Sequence, residues 1–144
     1  LASAREEQLL HKEYLAIVKG KFEEQSGTLT YTLGKEKGIR GRSVTVDGQN
    51  CITNYEVIIE GNFFSLIKVH IETGRLHQIR AGMAYFGHPL IGDRLYGGSM
   101  HAMKRPALHC WKVEFIHPKT KKQIKIECKL PDDMQKVVDR LQEK

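Results

Sequence analysis

Apolar and polar side chains alternate with a period of two over residues 111–130, and this pattern restricts the fold more than any other feature of the chain. The apolar positions lie on both sides of a turn at 117–120 and are Trp111, Val113, Phe115, Ile124, Ile126, Cys128 and Leu130. Successive side chains of a strand point to opposite faces, so this period is typical of a sheet with one face buried. The segment therefore predicts a half-buried antiparallel hairpin.

Two further segments have strand patterns. A second hairpin turns at residues 61–62 and places six apolar residues on one side: Tyr55, Val57, Ile59, Ile67, Val69 and Ile71. A third strand is predicted over Glu13 to Lys19, with both of its faces partly apolar. One face carries Tyr14, Ala16 and Val18, and the other carries Leu15 and Ile17. This strand is expected in the interior of the sheet.

Helical patterns lie near both ends of the chain. Ser3 and Glu6 form a capping box, which predicts a short helix over residues 4–10. A last helix is expected from Pro131, where the following apolar residues recur at helical spacing: Met134, Val137, Val138 and Leu141. We therefore predict one α+β domain, with a mainly antiparallel mixed sheet and a few flanking helices.

A helix near the middle of the chain is predicted to carry an arginine at the edge of its buried side. It begins near Thr73 or Gly74 and ends at Gly87, and its apolar stripe is Leu76, Ile79, Met83 and Phe86. Arg80 borders this stripe and leans toward the interior. A buried arginine requires a carboxylate. The alternative, which the helical wheel alone favours, is that its stem packs while the guanidinium reaches water.

Two other residues of this region have competing interpretations. Gly82 costs about 1 kcal/mol relative to alanine within a helix, and a close approach of another element would explain it. Asp93 follows Gly92 in a predicted loop. It is either a catalytic carboxylate or a turn residue whose side chain bonds nearby backbone N–H groups. We favour the turn.

The net charge of +6 and the pI near 9.3 favour a polyanionic partner, most simply a nucleic acid, although many basic proteins bind none. A basic run with two glycines predicts a mobile loop over residues 35–42. Its four cations are candidate phosphate contacts: Lys35, Lys37, Arg40 and Arg42. Taken without other evidence, the run favours a solvated loop over a phosphate site.

The spacing of the cysteines and the hydropathy of the chain indicate the cellular compartment. Cys51, Cys110 and Cys128 are widely spaced and form no CxxC pair, so they predict small buried residues in a reducing environment and no metal site. No apolar run approaches the roughly 20 residues that span a bilayer. We expect a cytoplasmic protein with no membrane partner.

Three stretches together resemble the RluA-type RNA pseudouridine synthases. The first reads ETGRLHQIR and continues into GHPLIGDRLYGG, which matches the family's TGR-x-HQIR and GHP-x-x-GD-x-x-YG blocks. The others are HKEYLAIVKG and ALHCWKVEFIHPKT with its LPDDM ending. The resemblance covers nearly the whole chain. It implies the isomerisation of a uridine in RNA, ribosomal RNA first and transfer RNA next, without a metal or another cofactor.

The resemblance also implies roles for individual residues. Arg80 would pair with the family's catalytic aspartate and hold it ionised. Tyr14 would stack on the flipped uracil near C5, and Leu108 would close the apolar side of the pocket. Arg75, His77 and Gln78 would organise the turn between strand and helix rather than take part in the chemistry.

One departure from the family affects the expected activity. The HRLD-x-x-TSG segment that carries the family's aspartate is not found in residues 1–144. We therefore expect this chain to be the C-terminal portion of a single catalytic domain, inactive alone, with an open sheet edge available for association. Arg80 would then turn outward, recruit another acid or meet an anion. The alternatives are a catalytically silent RNA-binding module and an unrelated α+β interaction domain.

Overall fold

The computed structural model describes residues 11–35, 42–45, 48–75 and 77–142. One sheet contains seven strands: β1 His11–Lys19, β2 Ser26–Lys35, β3 Arg42–Val44, β4 Gln49–Glu60, β5 Phe64–Ile71, β6 Leu108–Ile116 and β7 Gln123–Glu127. Among these residues two helices accompany the sheet, α1 Gln78–Tyr85 and α2 Asp132–Gln142. The strand order is β3-β2-β4-β5-β1-β6-β7, and each pair of described neighbours is antiparallel. The predicted α+β fold with a mainly antiparallel sheet is confirmed.

Strand β1 lies inside the sheet, between β5 and β6, as its two apolar faces predicted. On one face, Ala16 and Val18 are buried in a core that also contacts Tyr14. On the other face, Ile17 is buried in a second core. The strand thus separates two cores, and helix α1 contributes to the first while α2 contributes to the second.

Helix α2 covers the second core with the residues that its pattern predicted. Met134, Val137 and Val138 are buried there, and Leu141 packs at the margin. Asp132 and Asp133 occupy the first turn, where carboxylates interact favourably with the helix dipole. The predicted helix is confirmed, beginning one residue after Pro131.

The predicted side of Ile59 is wrong because β4 contains a bulge. The register between β4 and β5 shifts between Val57 and Ile59, so that Ile59 lies opposite Leu66. A bulge inserts one extra residue and sends the following side chains to the other face. Tyr55 and Val57 therefore contact the first core, and Ile59 contacts the second.

Strands β2 and β3 were not predicted, although Tyr31 and Leu33 of β2 alternate with polar residues and are buried. The basic run from Lys35 to Arg42 connects these strands, and the two residues pair across the hairpin. Lys37 and Arg40, the side chains of Lys35 and Arg42, and the helix predicted over 4–10 lie outside the described residues.

The hairpin of β6 and β7 is less buried than its alternation predicted. Ile126, which the alternation placed on the buried face, is 48% exposed. The prediction that all three cysteines are buried holds only for Cys51, since Cys110 is half-buried and Cys128 is exposed. No helix among the described residues is long and apolar enough to cross a membrane.

Candidate active site

Helix α1 begins later than predicted because a glutamine side chain organises the preceding turn. The helix starts at Gln78, and His77 before it has left-handed backbone angles. The buried side-chain oxygen of Gln78 accepts hydrogen bonds from the Thr73 hydroxyl at 2.8 Å and the Arg75 N–H at 3.1 Å. These contacts hold the chain in a turn where the periodicity predicted helix.

The same turn is tied to strand β4. The amide nitrogen of Gln78 donates to the carbonyl of Ile52 at 3.1 Å and to the Thr53 hydroxyl at 2.9 Å. Arg75 donates from Nε to the carbonyl of Asn50 at 3.0 Å. Gln78 and Arg75 therefore organise the turn, as expected, and they orient the first residues of α1 toward the sheet.

Arg80 makes a two-point ion pair with Asp93. Its Nε lies 2.8 Å from Oδ2 and its Nη2 lies 2.9 Å from Oδ1. The Asp93 side chain is 0% exposed and that of Arg80 is 22% exposed. Hydrogen bonding to Asp93 raises the pKa of Arg80 above its ordinary value. Arg80 is therefore paired with an acid of this chain and does not turn outward.

The favoured interpretation of Asp93 as a turn residue with a backbone-bonded side chain is wrong. Its side-chain oxygens bind Arg80, although its backbone does form the turn, with the Gly98 N–H donating to the Asp93 carbonyl at 2.7 Å. Gly92 before it has φ +77°, and a Cβ there would overlap the Arg105 carbonyl. The need of Arg80 for a carboxylate is the signal that could have identified Asp93 as its partner, but the two residues were not connected from the sequence.

His77 and Tyr96 extend the ion pair into a short network. The Nη1 of Arg80 lies 3.2 Å from Nε2 of His77, and Nδ1 of His77 lies 2.9 Å from the Tyr96 hydroxyl. A guanidinium can only donate, so the contact makes Nε2 the acceptor and assigns the ring proton to Nδ1. The Arg80 guanidinium also lies 5.3 Å from the centre of the Tyr96 ring. The motif interpretation missed Tyr96 as a contact of this site.

Three predicted residues face one cleft of about 200 Å³. Tyr14 from β1, Arg80 from α1 and Leu108 from β6 line it, together with Ile71, Arg75, His77, Gln78 and Ile79. None of the described residues that line the cleft is acidic. Lys35 and Arg42 belong to the β2–β3 hairpin, which β4 and β5 separate from β1.

The cleft presents Tyr14 as a neutral phenol. Burial, and to a smaller extent the neighbouring Cys110, raises the pKa of Tyr14 above its ordinary value. Burial disfavours the phenolate because the charged form loses its hydration. Within the described part of the chain, no group of three or more His, Cys, Asp or Glu side chains is arranged to hold a metal ion.

Comparison with known proteins places this geometry in a family. The family model described as RNA pseudouridylate synthase matches residues 1–85. The chain belongs to the RNA pseudouridylate synthase family. It is 39% identical over 139 residues to an uncharacterized RNA pseudouridine synthase, YjbO, of Bacillus subtilis, covering 96% of this chain and 49% of that protein.

Other members of the family agree in sequence and in fold. Ribosomal large subunit pseudouridine synthase D of Blochmanniella floridana is 33% identical, over 88% of this chain and 45% of its own length. The chain thus spans about half the length of the curated relatives it matches. The structure of human RNA Pseudouridylate Synthase Domain Containing 1 shares the fold, with a TM-score of 0.76, 19% identity, and coverage of 99% of this chain and 70% of that one.

Proposed function

We propose that the complete protein isomerises a uridine of structured RNA to pseudouridine in the cytoplasm, and that its substrate is ribosomal RNA. The single observation that carries this is the convergence of Tyr14, Arg80 and Leu108 on one cleft from three different elements. The name of the Blochmanniella relative, a ribosomal large subunit enzyme, supports the choice of ribosomal over transfer RNA. The reaction rearranges bonds within one nucleotide and needs no oxidant, reductant or cofactor.

The cleft offers two surfaces for a flipped base. The target uridine has to leave its stack to reach a pocket of this size. The ring of Tyr14 stacks on the uracil, and Leu108 provides an apolar wall. The glycosidic bond from N1 breaks, C5 bonds to the ribose, C5 loses its proton, and N1 gains one, so that the product is an isomer of the substrate. Because the pKa of Tyr14 is raised, Tyr14 enters this reaction as a phenol rather than as a phenolate base.

We infer that the reacting carboxylate belongs to a part of the complete protein other than these 144 residues, in which the family's HRLD-x-x-TSG segment is not found. None of the described cleft-lining residues is acidic, and Asp93 has no exposed surface with which to touch a substrate. In the complete protein, Arg80 hydrogen-bonds the incoming carboxylate and keeps it ionised. The 144-residue chain alone is then expected to bind RNA without converting it.

RNA affinity comes largely from the positive charge of the chain. The net charge is +6, and neutralising RNA phosphates releases counterions, so the affinity should fall as salt rises. Lys35, Lys37, Arg40 and Arg42 are the proposed phosphate contacts. Replacing all four by alanine should reduce RNA affinity and the slope of its salt dependence.

The test uses RNA from cells in which the gene has been deleted. The complete protein is incubated separately with ribosomal and transfer RNA, and new pseudouridine is mapped at nucleotide resolution. We expect one or a few sites in ribosomal RNA. Conversion of transfer RNA alone would refute the substrate, and salt-dependent binding without conversion of either RNA would favour the silent RNA-binding module.

A second arm tests the source of the carboxylate. The 144-residue chain is incubated with the RNA that the complete protein converts, at concentrations that saturate binding. No pseudouridine should form. Its appearance would show that a residue within this chain supplies the carboxylate.

A further inference from the structure

The guanidinium of Arg80 is held from three directions. Asp93 binds the edge formed by Nε and Nη2, His77 contacts Nη1, and the guanidinium carbon lies over the ring of Tyr96. Within the described part of the chain, these contacts use three of the five N–H groups that a guanidinium carries. One N–H on each Nη atom remains available to a further acceptor.

Asp93 cannot leave this pair easily when another acid arrives. Its side chain is 0% exposed, and a carboxylate that is buried without a cation is strongly disfavoured. Its loop is also closed by backbone hydrogen bonds, from Gly92 N–H to the Ser99 carbonyl at 2.6 Å and from Gly98 N–H to the Asp93 carbonyl at 2.7 Å. A second carboxylate would therefore meet Arg80 at the remaining N–H groups.

The net charge of the Arg80–Asp93 pair determines how Arg80 can bind a second carboxylate. Asp93 already offsets the positive charge of Arg80, so the contribution to another anion comes mainly from directional hydrogen bonds. Such bonds weaken steeply when the donor is misaligned. The orientation of the guanidinium then decides how well the reacting carboxylate is held.

We propose, on the basis of the function proposed above, that Asp93 is a positioning residue which orients Arg80 toward the reacting carboxylate. His77 assists from the other side of the guanidinium. Asp93 touches neither the substrate nor the reacting atoms. The competing explanation is that Asp93 pairs with Arg80 only where the family's own aspartate is not present, in which case Asp93 is dispensable in the complete protein.

The test replaces Asp93 by asparagine in the complete protein. The control is Asp133→Asn, because Asp133 forms the same two-point pair with Arg105, at 2.9 and 2.8 Å, on the exposed surface. Two quantities are measured on RNA from cells lacking the gene: the single-turnover rate of pseudouridine formation and the dissociation constant for RNA. Both are measured well below the melting temperature of each variant.

We expect Asp93→Asn to lower the single-turnover rate about 100-fold, as small misplacements of catalytic groups do, with RNA affinity within about twofold of wild type. Asp133→Asn should leave both quantities within about twofold. A loss that was merely structural would lower the rate and the RNA-binding fraction together. That result, or an unchanged rate in Asp93→Asn, would overturn the positioning role.

A second variant keeps the test valid if Asp93→Asn does not fold. His77→Asn removes the contact with Nη1 at a half-buried position, and asparagine tolerates the left-handed backbone angles found there. We expect a rate about tenfold below wild type with RNA affinity retained. If both single variants fold, combining them should lower the rate little beyond Asp93→Asn, since both act through Arg80.

The outcomes separate this inference from the function on which it rests. An inactive wild-type protein would refute the proposed function and this inference with it. An active wild-type protein with fully active Asp93→Asn and His77→Asn variants would refute the positioning role alone.

Discussion

The two faces of the sheet are built from alternate residues of the same strands but from different kinds of contact. On the face covered by α2, the core consists of apolar side chains such as Ile17, Leu66 and Met134. On the face covered by α1, apolar packing is interrupted by the buried Tyr31–Thr53–Gln78 hydrogen bonds and by the Arg80–Asp93 pair. The cleft opens on this second face, which also carries Tyr14.

The two faces are expected to contribute differently, one to the stability of the fold and the other to the orientation of polar side chains. Apolar burial stabilises roughly in proportion to the area removed from water. A buried ion pair, in contrast, is often no more stabilising than apolar residues of similar volume, although the loss of one partner is costly. The α2 face is therefore expected to hold the fold together, and the α1 face to fix the directions of a few polar groups beside the cleft.

Replacing Arg80 by methionine should have the largest effect, because it affects both stability and activity. Asp93 would remain buried without a cation, which should lower the free energy of unfolding by about 3–5 kcal/mol. Pseudouridine formation should cease. Urea unfolding and the RNA assay on the complete protein measure the two effects.

A double variant sharpens this prediction. Combining Arg80→Met with Asp93→Leu replaces the pair by apolar residues and should recover most of the stability but none of the activity. If the double variant did not recover stability, the pair itself would stabilise the fold. If the double variant recovered activity, Arg80 would be excluded from the reaction.

Replacing Met134 by alanine tests the opposite face. Met134 is 0% exposed, and truncating a buried methionine should cost about 2–5 kcal/mol of unfolding free energy. The single-turnover rate per folded molecule should not change, because the residue belongs to the core beneath α2. A variant with near-normal stability but a reduced rate would show that the α2 face also serves the site.

The α2 face could be predicted from sequence because its pattern is local and regular. The spacing of Met134, Val137, Val138 and Leu141 specifies a helix without reference to the rest of the chain. Ile59 was misplaced because a bulge changes register without an obvious change in composition. Tyr14 and Leu108 were assigned to the cleft by the family resemblance, whereas the helical wheel had already singled out Arg80, and the roles of all three stay predictions.

The α1 face could be predicted only in part because its contacts join distant residues. The wheel that placed Arg80 near the core relied on Leu76, which precedes the observed helix. Asp93 lies 13 residues after Arg80, and only the folded loop brings the two together. Gly82 is explained by the Tyr31 ring, which a Cβ at that position would overlap. A close approach was expected there, but sequence could not identify the partner.

Tyr31 gives the α1 face a predicted sensitivity to alkaline pH. Its hydroxyl donates to the Gln78 carbonyl at 2.8 Å, and burial raises its pKa from 10.0 to about 12. The folded state therefore holds this proton more tightly than the unfolded state. The resulting stability, roughly 2–3 kcal/mol, is fully present below pH 10 and is lost as pH rises toward 12.

Unfolding of the wild type and of Tyr31→Phe across this pH range isolates the contribution. The wild type should lose more stability than the variant between pH 10 and 12, because phenylalanine has no proton to lose. Tyr14 and Tyr55 also have raised pKa values but are present in both proteins, so their contribution cancels in the difference. Parallel stability curves would contradict the prediction.

The smallest effect is expected for Arg105→Met, the exposed counterpart of Arg80→Met. Arg105 and Asp133 form the same two-point geometry, but their side chains are 43% and 44% exposed. Water screens such a pair, so the variant should lose no more than about 1 kcal/mol, and less at high salt. Hydrogen bonding from Arg105 lowers the pKa of Asp133, so the small contribution is present above the ordinary aspartate pKa and is lost as pH falls. Urea unfolding at low and high salt measures it. A loss as large as that of Arg80→Met would mean that the shared two-point geometry, and not burial, sets the stability lost with either arginine.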